Sequence, residues 1–114
     1  MDEQKFIEAF NEKAKESQEI AVRHGWVVED DPEGLAVKIA LMHSELSEAL
    51  EGLRQGDPPS DHIPEFSSME EEFADVIIRM MHVSDVLKLR LAEAIIAKDK
   101  FNDSRPFKHG GKLF

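Results

Sequence analysis

The sequence predicts an all-α chain, and three observations carry that prediction. Apolar residues recur at three- and four-residue steps over long stretches, which is the period of a helix face. No stretch alternates at period two, and the β-branched residues sit inside helical patterns. Proline and glycine fall in short segments that separate the helical ones.

The first helix is expected from Asp2 to His24. Phe6, Ile7, Phe10, Ala14, Ala21 and Val22 form its apolar side, Asp2 and Glu3 suit its positive end, and Gly25 closes it. Trp26 to Asp31 is a short connection. Pro32 fits the first turn of a second helix, with Asp30 or Asp31 as N-cap, and that helix reaches Arg54 and stops at Gly56. Gly56 to Ser67 holds Pro58, Pro59 and Pro64 and reads as a loop. Ser68 followed by Glu71 reads as a capping box that starts the third helix. No Gly or Pro interrupts Met69 to Asp103. One helix of that length is long for so small a domain, so a break near Leu87 to Arg90 is expected, giving a third and a fourth helix. Ser104 to Phe114 carries Arg105, Lys108, His109 and Lys112 and is expected to be a loosely ordered basic arm.

Composition narrows the function. The 114 residues suit a single domain, 1–114, and 41% hydrophobic residues supply a core. A formal charge of -10 disfavours general nucleic-acid binding and adhesion to anionic membranes. With no cysteine, disulfide scaffolds, thiolate zinc sites and cysteine nucleophiles are excluded. No apolar run approaches a membrane span, and the opening MDEQKFIEAF is acidic and amphipathic, unlike a signal peptide; a cytoplasmic protein is expected.

Four acids stand out. Glu45 and Glu48 lie on the second helix and Glu72 and Asp75 on the third, each pair at i,i+3 and so on one side of its helix. The proline-rich loop lets the two helices run antiparallel with the pairs facing. On the second helix Leu35, Ile39, Met42, Leu46, Leu50 and Leu53 form the apolar stripe, with Val37 and Leu41 on a second apolar line. On the third, Phe73, Val76, Met80, Val83 and Leu87 form the stripe. The acids fall at the edge of these stripes, where four converging carboxylates need a positive partner. Hard oxygen ligands suit Mg2+ or Mn2+ rather than zinc, and such a site leaves positions for water and phosphate. The competing reading is that the acids are solvated charge faces, as Glu16 and Glu19 are expected to be at the same spacing. A ferritin-like di-iron site is set aside, because no His has a Glu three residues before it.

The strings HSELSEALE (His43 to Glu51) and EEFADVIIR (Glu71 to Arg79) resemble the ExxE and ExxD motifs of the MazG-like nucleoside triphosphate pyrophosphohydrolases, of the all-α NTP pyrophosphatase superfamily. HGWVVEDDPE is similar to that family's Gly-Trp segment, and KDKFNDSRPFKHGGK to its C-terminal Lys-x-x-x-Asn-x-x-Arg-Pro stretch. The resemblance runs from about Ala21 to Lys112. It implies a four-helix MazG-like bundle completed by dimerisation, as a homodimer or homotetramer. It implies Mg2+-dependent hydrolysis of a (deoxy)nucleoside triphosphate to the monophosphate and pyrophosphate, a house-cleaning reaction. Glu45, Glu48, Glu72 and Asp75 would ligate the metal, and Glu48 would also orient or deprotonate the attacking water. Lys98, Asn102, Arg105, Lys108 and Lys112 would contact the substrate.

Other residues carry two readings each. Trp26 either stacks on the base or closes the end of the bundle. Arg79 either pairs with Asp75 at i,i+4 or contacts phosphate. His43 is expected in the core and His82 exposed, and Met42, Met69, Met80 and Met81 fill core or interface. The functional alternatives are a non-enzymatic helical interaction protein and a regulatory nucleotide-binding module.

Overall fold

Helices start where a short polar side chain can satisfy the free N–H groups of the first turn. The computed structural model describes residues 1–114. Asp2 accepts from the Lys5 amide and opens α1 (Glu3–Arg23). The chain leaves α1 through His24 and then Gly25, whose φ of 83° carries no Cβ penalty. Of the two expected caps, Asp31 opens α2 (Pro32–Arg54), accepting from the Gly34 amide at 2.7 Å, with Pro32 in the first turn. α3 (Ser68–Leu87) opens on a capping box one residue earlier than expected. Ser67 accepts from the Glu70 amide, and Glu70 reaches back to the Ser67 amide. The shift leaves Glu71 free, and the loop takes it. Lys88 adopts the left-handed conformation at the expected break, and α4 (Leu91–Asp103) follows. The tail contains a single turn, α5 (Lys108–Gly111), with His109 and Gly110 at positive φ, and every residue from Pro106 onward is exposed. The chain is all-helical; its one β-bridge, Pro59 with Ser67, closes the base of the loop.

α1 and α2 pack on α3, and α4 packs on α1. Gly52 near the end of α2 meets Ser68 at the start of α3, while Glu45 meets Arg79 further back, so these helices are antiparallel. Small residues set the spacing. A Cβ on Gly52 would lie 2.6 Å from the Ser68 hydroxyl oxygen, and Ala49 beside it is buried. On α1 the buried positions are Ala14, Ser17 and Ala21. Lys100 of α4 pairs with Glu3 of α1 at 2.8 Å.

The chain does not build a full core alone. Only 11 of 114 residues are buried, and no large side chain is fully buried. The radius of gyration is 16.4 Å, against about 13 Å for a compact chain of this length. The reason is the setting of α2. Its expected core stripe turns away from α3: Ile39 is 54%, Leu46 46%, Leu50 51% and Leu53 54% exposed. Val37, on the second apolar line, is also exposed, while Leu41 is half-buried. The side that packs on α3 instead carries Glu45, Ala49 and Gly52, about a third of a turn round the helix. On α3, Val76 is buried, whereas Phe73 and Met80 from the expected stripe, with Ile77, are about half exposed. Helical geometry puts these on the same side of the α2–α3 pair as the α2 stripe, which leaves one apolar face uncovered. His43, expected in the core, lies along that face and is exposed. Of the methionines, Met81 is buried, Met42 and Met69 are half-buried and Met80 is exposed. No helix is long and apolar enough to cross a membrane.

Candidate metal centre

The face of α2 that meets α3 is built from Glu45 and small residues, so Glu45 is carried into the helix–helix seam. Across the seam, Glu72 and Asp75 stand one turn apart on α3. One carboxylate oxygen from each of Glu45, Glu72 and Asp75 lies within 4.8 Å of the others. Glu48, the fourth expected ligand, is exposed one turn along α2. Its charge still acts on Glu72, whose pKa it helps to raise. Three acids therefore form the cluster and the fourth stands at its solvent edge.

The cluster is electrostatically unbalanced. Burial, and then the hydrogen bond and charge of Glu45 and Glu48, push Glu72 up to about 8. The same hydrogen bond from Glu72 holds Glu45 below its ordinary value, helped by Arg79. The two neighbouring carboxyls are thus pushed in opposite directions, as adjacent acids are when both cannot easily ionise. Asp75 is raised, first by burial and then by the charge of Glu45. One cation enters the cluster from the protein: Arg79 donates from Nη2 to Glu45 Oε1 at 3.0 Å. Arg79 thus bridges the two helices instead of pairing with Asp75 along its own.

The residues fit a hard divalent cation. The second oxygen of Glu72 is buried and accepts no hydrogen bond, a costly state for a carboxylate. Three oxygen donors with no sulfur or imidazole among them form the donor set of Mg2+ or Mn2+ sites.

A cavity of about 330 Å³ opens beside the acids, lined by Trp26, Lys38, Leu41, Glu45, Asp75, Ile78, Arg79 and His82. Trp26 is exposed on its wall and also borders a smaller apolar pocket with Ile20, Ala21 and Ile78. His82, expected exposed, is half-buried between α1 and α3, because α1 packs over this part of α3. Its Nε2 is buried without a partner. Burial, and then Lys38, push its pKa down.

The C-terminal residues are not brought to the acids within the chain. α4 packs on α1, and Lys98, Asn102, Arg105, Lys108 and Lys112 make no hydrogen bond or ion pair with the cluster. Lys98 and Arg105 instead stack over the Phe101 ring at 4.5 and 5.5 Å. Two features were missed in the sequence. Lys38 lies two turns before Glu45, a spacing that signals a shared face. The other is the clamp on the loop. Ser60 donates to Glu71, His62 Nδ1 lies 2.7 Å from the other Glu71 oxygen, and Asp57 accepts from the Met69 amide at 2.8 Å. The Ser60 and His62 contacts pull Glu71 down in pKa, and Glu71 raises His62. They also hold the start of α3 against the loop, which leaves Glu72 turned toward α2. No sequence signal marks this clamp, since its partners meet only through the folded loop.

These features define a class: an all-helical chain with a carboxylate cluster in the seam of two antiparallel helices. No protein-family model, curated protein or solved structure matches the chain.

Proposed function

We propose that this protein is a Mg2+-dependent nucleoside triphosphate pyrophosphohydrolase of the MazG-like kind, releasing a nucleoside monophosphate and pyrophosphate, with deoxynucleotides as the favoured class. The observation that carries this reading is the convergence of Glu45, Glu72 and Asp75 within 4.8 Å. The ExxE and ExxD spacings that produce it agree. Glu45, Glu72 and Asp75 would hold the metal. When bound, the cation supplies charge neutralisation for a triphosphate and lowers the pKa of a water.

The protein's own groups have separate tasks in this reading. Glu48, at the solvent edge of the cluster, orients the attacking water and takes its proton on a carboxylate oxygen. Trp26 and Ile78 give the adjacent cavity an apolar wall against which a nucleobase stacks. Lys38 brings positive charge to the same cavity. The basic arm serves the site of a neighbouring subunit, since it makes no bond to the acids of its own. The uncovered face of Ile39, Leu46, Leu50, Leu53, Phe73 and Ile77 supports a homodimer or homotetramer, which gives a small chain the core it lacks.

Pyrophosphate release from a panel of deoxynucleoside triphosphates, with Mg2+ and with EDTA, tests the reading. Turnover that needs Mg2+ is expected. Tight Mg2+-dependent nucleotide binding without turnover would make the protein a regulatory module. Metal-independent protein binding without turnover would make it an interaction protein.

A further inference from the structure

Arg79 is the only basic side chain that forms an ion pair with the acidic cluster. It does so incompletely. Nη2 makes one bond to Glu45, while Nε is buried and has no acceptor. Both partners are partly withdrawn from water, the Arg79 side chain 29% and the Glu45 side chain 14% exposed. A guanidinium offers five donors in a planar fork that suits two oxygens of a phosphate or carboxylate at once. Arg79 therefore sits with most of that capacity unused, against a carboxylate that belongs to the proposed metal site. It lines the cavity that opens beside Glu45 and Asp75.

We propose that Arg79 is an exchangeable counter-ion, holding Glu45 while the site lacks metal and released by the arriving divalent cation to bind a phosphate oxygen of the substrate. This rests on the metal-dependent reading above. The physical cause is competition for one carboxylate. An oxygen that accepts from a guanidinium gives up part of its charge to it, and a divalent cation at the same group repels the guanidinium. Release breaks a single bond, the one from Nη2 to Glu45. The position suits the second task, because Arg79 lies one turn beyond Asp75 and two beyond Glu72 on the ligand-bearing side of α3. The exchange orders the two events: metal first, then polyphosphate.

The test uses Mn2+ alone as the first probe, followed by electron paramagnetic resonance on the full chain without nucleotide. Arg79→Gln removes the competitor and is expected to bind Mn2+ roughly tenfold more tightly than wild type, the scale of one charge-assisted hydrogen bond. Arg79→Lys keeps the charge and is expected to stay within about threefold of wild type. The second probe is an α,β-methylene deoxynucleoside triphosphate with Mg2+, for which Arg79→Gln is expected to lose roughly tenfold in affinity. In the unsubstituted chain, Mg2+ alone should accelerate hydrogen exchange at Arg79 Nε in a ¹⁵N NMR spectrum, a measurement that needs no variant to fold. Equal or weaker Mn2+ binding by Arg79→Gln, unchanged analogue affinity, or an Nε signal indifferent to Mg2+ overturns the exchange. Failure of wild type and variants alike to take up millimolar Mn2+ overturns the metal site as well, a result distinct from equal finite affinities.

Discussion

Replacing Glu72 by Gln removes the charge that the helix seam tolerates least. Glu72 is pushed up to about 8 by burial and by Glu45 and Glu48. The folded chain therefore keeps a proton there that the unfolded chain releases near pH 4.5. Stability of the metal-free protein falls as pH rises through this window and levels off above it, because the native state then holds the ionised group at a cost. The site is open to solvent on one side, and screening reduces that cost to the order of 1–2 kcal/mol. For a domain of this size that is roughly 4–8 °C in Tm. Gln keeps a donor toward Glu45 and never ionises. Melting curves followed by circular dichroism at pH 5 and pH 8.5, with and without millimolar Mg2+, measure the difference. The variant should gain little over wild type at pH 5 and about 4–8 °C at pH 8.5 without metal. Mg2+ should raise the wild-type Tm at pH 8.5 and leave the variant unmoved. A variant no more stable than wild type at pH 8.5, or one that responds equally to Mg2+, would refute the account of the cluster.

Four further outcomes are expected. Glu48→Gln should lower pyrophosphate release at least about a hundredfold, the scale of a lost general base, with an unchanged melting curve. Glu16→Gln, an exposed acid on α1 with the same i,i+3 spacing, should leave release near wild type; equal losses would point to a general charge effect. On the proposed assembly, wild type should sediment as a dimer or tetramer and Leu46→Glu combined with Leu50→Glu as a monomer in analytical ultracentrifugation; a wild-type chain that sediments as a monomer would remove the basis for an assembled site. Ser67→Ala deletes the capping box of α3 and should cost about 1 kcal/mol in urea unfolding; a cost shared equally by Ser68→Ala would argue against the observed register.

Much of the fold was legible because the signals are local. Asp31 with Pro32, and the long run without Gly or Pro after Ser68, act within one or two turns, so their physics is contained in neighbouring residues. Helix positions were recovered to within a residue or two, and the capping box slipped by one because Ser67 and Ser68 each have a glutamate three residues on. The site was half legible. The i,i+3 spacing put Glu45 and Glu72 on definite sides of their helices, but not which side faces the neighbour.

That choice is where sequence reasoning went astray. A helix with apolar residues on more than one side offers several packing solutions, and the largest stripe need not be the one that meets the neighbouring helix. In the fold, Ala49 and Gly52 win the contact with α3 because they allow close approach, and Leu46 and Leu50 are left outward. His43 follows the outward stripe, and His82 is enclosed because α1 closes over it. The Ser60–His62–Glu71 clamp joins residues whose meeting depends on the path of the loop.

Helix content, helix ends and the spacing of the acids are short-range properties, set by hydrogen bonds and turn chemistry within a few residues of one another. Which face of α2 meets α3, the raised pKa of Glu72 beside Glu45, and the pairing of Arg79 with Glu45 arise only when separate helices pack. They depend on burial and on charges a few ångströms apart in space but tens of residues apart in the chain.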